Sequence, residues 1–122
     1  MDNNHLLDII RLIYNIQENI TDNSNILNSC TRPMLGPIES FYNTRPITLY
    51  LCNNNLLEIQ YDNNGEVATS NTFRVENING SCVTVRLLDN TNGVITATNE
   101  TATININCIA AIKCLPDINL TL

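Results

Sequence analysis

The sequence predicts an α+β fold, mainly β, with one N-terminal helix followed by an antiparallel β-sandwich or barrel of short strands. Three observations lead there. Apolar residues near the N-terminus recur at spacings of three and four, the repeat of one helix face. Beyond residue 45 they fall in short alternating runs, the repeat of strands. Those runs are divided by Asn-rich and Asn-Gly turns at short intervals, which suits hairpins better than crossover connections. The 122 residues allow one domain, expected as a helix over 1–20, a loop over 21–44 and a β-rich core over 45–122.

The helix comes first. Leu6, Ile9, Ile10, Ile13, Ile16 and Ile20 form one stripe. Asn3 or Asn4 can cap its start, and Asp8 is expected in or near the first turn, where the helix dipole favours an anion. Leu7, Leu12 and Tyr14 widen the apolar face, so the helix should pack on a sheet, on a partner, or on both. The segment from Thr21 to Thr44 carries Pro33, Gly36 and Pro37 among Asn, Ser and Thr, and reads as a long contact-making loop.

Strands are expected at Ile47 to Cys52 and Leu56 to Tyr61, with Asp62-Asn63-Asn64-Gly65 turning the chain. Thr72 to Ile78 and Ser81 to Leu88 flank Asn79-Gly80, a pair suited to a type I′ turn. Alternation puts Phe73, Val75 and Asn77 on one face and Arg74, Glu76 and Ile78 on the other, where Arg74, Glu76 and Arg86 can pair. Val94 to Thr98 follows Asn92-Gly93, and Thr103 to Cys114 reads as a long strand or a strand with a bend. Ile118, Leu120 and Leu122 alternate with polar residues and suggest an edge strand.

Composition excludes several functions. Six basic against twelve acidic residues give a net charge of -6, the wrong sign for binding nucleic acid or an anionic membrane surface. No run approaches the roughly 20 apolar residues of a membrane span. The polar, acidic start, Met1-Asp2-Asn3-Asn4-His5, does not resemble a secretory signal, so synthesis without one is expected. Asparagine takes the place of charge: 22 Asn accompany 16 Ile and 14 Leu, giving a neutral, amide-rich surface that genome bias alone also explains.

No catalytic motif is visible. His5 is the single histidine, placed at a helix end, and there is no CxxC, HExxH or phosphate-cradling glycine loop. Neither a metal nor a cofactor is therefore expected. Carboxylate pairs such as Glu58 with Asp62, or Glu66 with Glu76, are what twelve acids in such a chain produce by chance. Cys30, Cys52, Cys82, Cys108 and Cys114 make five thiols, too many to pair completely within one chain. They read either as small buried hydrophobes or as sites of slow crosslinking between chains. Lys113 beside Cys114 is the one basic neighbour that favours a thiolate.

Asn43-Thr44-Arg45-Pro46-Ile47-Thr48-Leu49-Tyr50 is similar to the Asn-Thr-Arg-Pro-x-x-Leu-Tyr segment of the CotY/CotZ/ExsY spore coat and exosporium family. Phe73-Arg74-Val75-Glu76, then Ser81-Cys82 and Val85-Arg86-Leu87-Leu88, resembles its Phe-Arg-Val-Glu hairpin. Cys108-Ile109-Ala110-Ala111-Ile112-Lys113-Cys114-Leu115 is similar to its C-terminal Cys-rich strand, and Asp8-Ile9-Ile10 with Asn15-Ile16-Gln17 echoes its helix. The chain departs from the pattern in having no cysteine before Cys30 and in Ala110, where the family often has another Cys.

The resemblance implies a non-enzymatic, self-assembling structural protein of the endospore surface, in the outer coat or the exosporium basal layer. It implies homo-oligomers, in hexameric rings or a two-dimensional lattice, and contacts with other coat and exosporium proteins. Cys30, Cys52, Cys82, Cys108 and Cys114 become candidate disulfide crosslinks. Ile9, Ile13 and Ile16 on the helix, with Ile118 and Leu120 near the C-terminus, become a candidate assembly surface. The alternative is an adaptor subunit that tethers an appendage or another layer to the exosporium.

Overall fold

A computed structural model describes residues 4–18 and 43–122. Helix α1 spans Asn4–Glu18, and its stripe turns inward as the spacing requires: Ile10, Ile13 and Ile16 are buried. Leu6, Leu7, Ile9 and Tyr14 pack around the same core. Because the helix starts at Asn4, Asp8 lies beyond the first turn and instead approaches Arg11, three residues on, at 4.0 Å on the exposed face. Ile20 and the expected loop up to residue 42 fall outside the described residues.

Seven strands follow among the described residues: β1 Ile47–Leu51, β2 Ile59–Asn63, β3 Glu66–Ser70, β4 Thr72–Asn79, β5 Cys82–Thr91, β6 Val94–Asn105 and β7 Ile109–Cys114. All pair antiparallel. β2 and β3 form a two-stranded sheet, and the other five take the order β6-β5-β4-β1-β7. Hence the mainly-β expectation is met, with two sheets and one α-helix among the described residues.

The hairpin loops follow their residues. Asn64-Gly65 and Asn92-Gly93 each sit at positive φ, at 54° and 90° and at 53° and 81°, and link rungs Asn63↔Glu66 and Thr91↔Val94. These are two-residue loops of the I′ kind. The β4–β5 loop is one residue later than expected. Asn79 pairs with Cys82, so Gly80 and Ser81 form the loop and only Gly80 has positive φ, at 62°, as a II′ turn needs.

Three further differences have local causes. A bulge between Val75 and Asn77 leaves Glu76 without a rung, which reverses the alternation: Ile78 packs toward the core and Asn77 is exposed. β3, unforeseen because Glu66, Val67 and Thr69 are exposed, buries only Ser70 fully. The long last strand breaks into β6, a 3-10 turn over Ile106–Cys108, and β7, with the Asn105 side chain accepting from the Asn107 amide at 2.9 Å.

At the C-terminal end, Ile118 makes a single bridge with Thr44, so no edge strand forms there.

One feature organises the whole. β1 and β4 share a single rung, Ile47↔Phe73, whereas β1 and β7 share five, Ile47↔Cys114 to Leu51↔Ile109. The chain from Asn105 to Ile109 then reaches from the end of the β5–β6 ladder to the end of the β1–β7 ladder. Four residue steps span at most about 14 Å, so those two ends are held close. Between them sit Ile47, Leu49, Phe73, Val75, Val83, Val85, Ile106 and Ile109, closed over by Ile10 and Ile13 of α1. Full burial of each such side chain contributes roughly 1.5–3 kcal/mol.

Candidate functional site

The Asn43 to Pro46 segment builds a polar joint below this core. Arg45 is wholly buried and grips Asp117 with two hydrogen bonds, Nε to Oδ1 at 2.8 Å and Nη2 to Oδ2 at 3.0 Å. Such a fork fixes orientation as well as charge. Its backbone N–H donates to Oε1 of Gln17 at 3.0 Å, while Nε2 of Gln17 donates to the Val75 carbonyl at 2.9 Å. One buried amide thus ties α1 to both β4 and the joint.

Asn43 and Thr44 complete the arrangement. The Asn43 amide accepts from the Leu120 N–H at 3.0 Å and donates to the Leu120 carbonyl at 2.9 Å, imitating a strand rung with a side chain. Thr44 Oγ1 accepts from Arg74 Nε at 2.9 Å, and Arg74 Nη1 donates to Glu76 at 2.6 Å. Arg86 lies 3.4 Å from the same carboxylate. The expected pairing of Arg74, Glu76 and Arg86 is therefore present, on the bulge itself.

Three exposed, free thiols lie near the other end of the β-structure: Cys52, Cys82 and Cys108. Cys52 follows β1, and its amide donates to the Cys108 carbonyl at 3.1 Å. Cys108 closes the 3-10 turn, and Ile106 at the start of that turn donates to the Ser81 carbonyl at 2.9 Å. Cys82 is thus the residue after the turn's anchor. Cys114 is half-buried opposite Ile47 and is disulfide-bonded, so Lys113 has no thiol beside it to activate. Cys30 lies outside the described residues.

A shallow cleft of about 380 Å³ opens between β2 and β6, lined by Tyr61, Asp62, Asp89, Thr98 and Glu100 among others. Burial, and then the charge of Asp89, push the Tyr61 phenol above its ordinary value of 10.0. Among the described residues no three His, Cys, Asp or Glu side chains stand close enough to hold a metal. Nor is any helix there long and apolar enough to cross a membrane.

The family model described as Spore coat protein Z matches residues 2–97, more than three quarters of the chain. The chain belongs to the spore coat protein Z family. No match was found among curated proteins or solved structures. Membership of the spore coat protein Z family carries a structural role in the spore coat, a place at the spore surface and contact with other coat proteins. The matched span holds α1, the Asn43 to Pro46 segment and the β4–β5 hairpin, while that segment's partners Asp117 and Leu120 lie beyond it. Cys108 and Cys114 lie beyond it.

Among the residues expected at an assembly surface, Ile13, Ile16 and Leu120 are buried within the chain, and Ile9 and Ile118 are half-buried. The helix stripe is spent on the chain's own sheet, and Leu120 is bracketed by Asn43. His5 is exposed at the start of α1. Of the carboxylate pairs, Asp62 accepts from the Gly65 amide of its own turn, and Glu76 is held by Arg74 and Arg86. Sequence reasoning missed Gln17 and Asp117 as structural partners, since each works only through a residue far along the chain.

Proposed function

We propose that this chain is a self-assembling structural protein of the outer coat or exosporium basal layer, forming ordered arrays of oligomers linked by disulfides. The observation that carries the reading is the trio of exposed free thiols, Cys52, Cys82 and Cys108, on a chain of the spore coat protein Z family. A thiol that faces solvent is open to exchange with a neighbouring subunit. The neutral surface supports the reading too: interface cores are depleted in charge, and buried amides cost little once they find partners.

Negative-stain micrographs of the purified chain, with and without reductant, test it. Rings, sheets or stacks are expected, with multimers on non-reducing gels that collapse on reduction. A strictly monomeric protein at high concentration in both conditions overturns the proposal. Discrete small oligomers that capture a separate appendage protein would favour the adaptor role instead.

A further inference from the structure

The thiols are not equivalent, and the geometry points to Cys52 and Cys108 as an intrachain disulfide that forms on oxidation. The β1–β7 ladder ends at the rung Leu51↔Ile109. Just past that rung, the Cys52 amide donates to the carbonyl of Cys108, the last residue of the 3-10 turn, at 3.1 Å. Residues opposed across an antiparallel pair have Cα atoms about 4.5–5.5 Å apart, and a direct amide–carbonyl bond holds Cys52 and Cys108 near that spacing, inside the roughly 4.4–6.8 Å window of disulfides. Both thiols are free and exposed, and the Cys52 sulfur already lies over the 3-10 turn, 3.7 Å from the Asn107 carbonyl that precedes Cys108. Cys82 differs, because its rung partner is Asn105.

The chemistry needs an external disulfide such as glutathione disulfide. The Cys52 thiolate attacks one of its sulfurs, forming a mixed disulfide and releasing one glutathione thiolate. The Cys108 thiolate then attacks the Cys52 sulfur and releases the second. Two protein thiols are oxidised and the external disulfide is reduced to two thiols, which take up the two protons. Either cysteine can act first.

This inference rests on the crosslinked-array reading and sharpens it. With the pair open, the described residues offer three thiols to neighbouring chains; with it closed, they offer Cys82. The order of oxidation then decides how many neighbours one chain can bind covalently.

Mixing unlabelled and heavy-nitrogen-labelled chains tests the pairing. The mixture is oxidised with glutathione disulfide, trapped by alkylation and digested without reduction. Peptides joining Cys52 to Cys108 are expected to carry one isotope only, in an excess of about tenfold or more over mixed pairs at micromolar chain, because intrachain partners meet at millimolar effective concentration. Cys52→Ser should leave Cys108 open to alkylation and to mixed-isotope links. Mixed-isotope Cys52–Cys108 peptides as the main product, or both residues left alkylated after oxidation, would overturn the inference. Micrographs of the reduced protein separate the two claims: single-isotope pairs without arrays sink the assembly proposal alone, and arrays with mixed-isotope pairs sink the disulfide alone.

Discussion

Arg45 and Asp117 form a two-point ion pair almost closed to solvent, their side chains 0% and 3% exposed. Removing one partner strands a charge inside the protein. Asp117→Asn should destabilise the fold by about 3–5 kcal/mol, read from urea unfolding. The double change Arg45→Met with Asp117→Leu should recover much of that loss, because the charges leave together. Equal losses in the single and double variants would mean that the pair is not the source of the cost.

Gln17 joins α1 to the sheet through both ends of its amide. Gln17→Ala leaves a buried carbonyl on Val75 and a buried amide on Arg45, at about 1–3 kcal/mol for each group left unsatisfied. Gln17→Glu keeps the acceptor but turns a carboxylate toward the Val75 carbonyl, and should lower the urea midpoint as well. A wild-type midpoint in both variants would show that the helix is held by its apolar stripe alone.

Tyr61 predicts how stability falls at alkaline pH. Its phenol is raised above 10.0 in the folded chain, by burial and then by Asp89. Its contribution is therefore fully present below about pH 10 and is lost as pH rises through the folded value. Tyr61→Phe should flatten that loss in urea midpoints measured from neutral pH upward. Asp89→Asn should flatten it less, since charge is the smaller cause. An unchanged slope in the phenylalanine variant would rule Tyr61 out.

Thiol exposure is open to direct labelling. Brief alkylation of the native, reductant-free chain should mark Cys52, Cys82 and Cys108 and spare Cys114, as peptide mapping can read. Rapid labelling of Cys114 under those conditions would contradict its bonded state.

The helix and the hairpins were legible because they rest on neighbours in sequence. Ile10, Ile13 and Ile16 announce a face, and Asn92-Gly93 announces a turn. The ionic group on Arg74, Glu76 and Arg86 was legible for the same reason, since Arg74 and Arg86 face each other on one rung of a single hairpin and Glu76 stands two residues from Arg74. The bulge at Glu76 was not, since nothing local says that one residue will lose its rung and reverse Asn77 and Ile78. Nor was the joint: Arg45 meets Asp117 across 72 residues and Gln17 across 28. The Asn43 to Pro46 motif marked the place without revealing its job, which is to clamp the tail and the helix. The expected terminal strand failed because Asn43 takes both backbone groups of Leu120 that a strand partner would have used.

The single rung between β1 and β4 also sets an order of events. β4, β5 and β6 are joined by two-residue loops, so their pairing closes over short distances and needs little entropy. β1 gains one rung from that meander and must find β7 across about half of the chain, from Leu51 to Ile109 at the nearer end. That contrast predicts a nucleus in the meander, with the β1–β7 ladder forming after the barrier. Stopped-flow kinetics should accordingly show Val85→Ala slowing folding, whereas Leu49→Ala chiefly hastens unfolding. The opposite pattern would put the nucleus in the β1–β7 ladder.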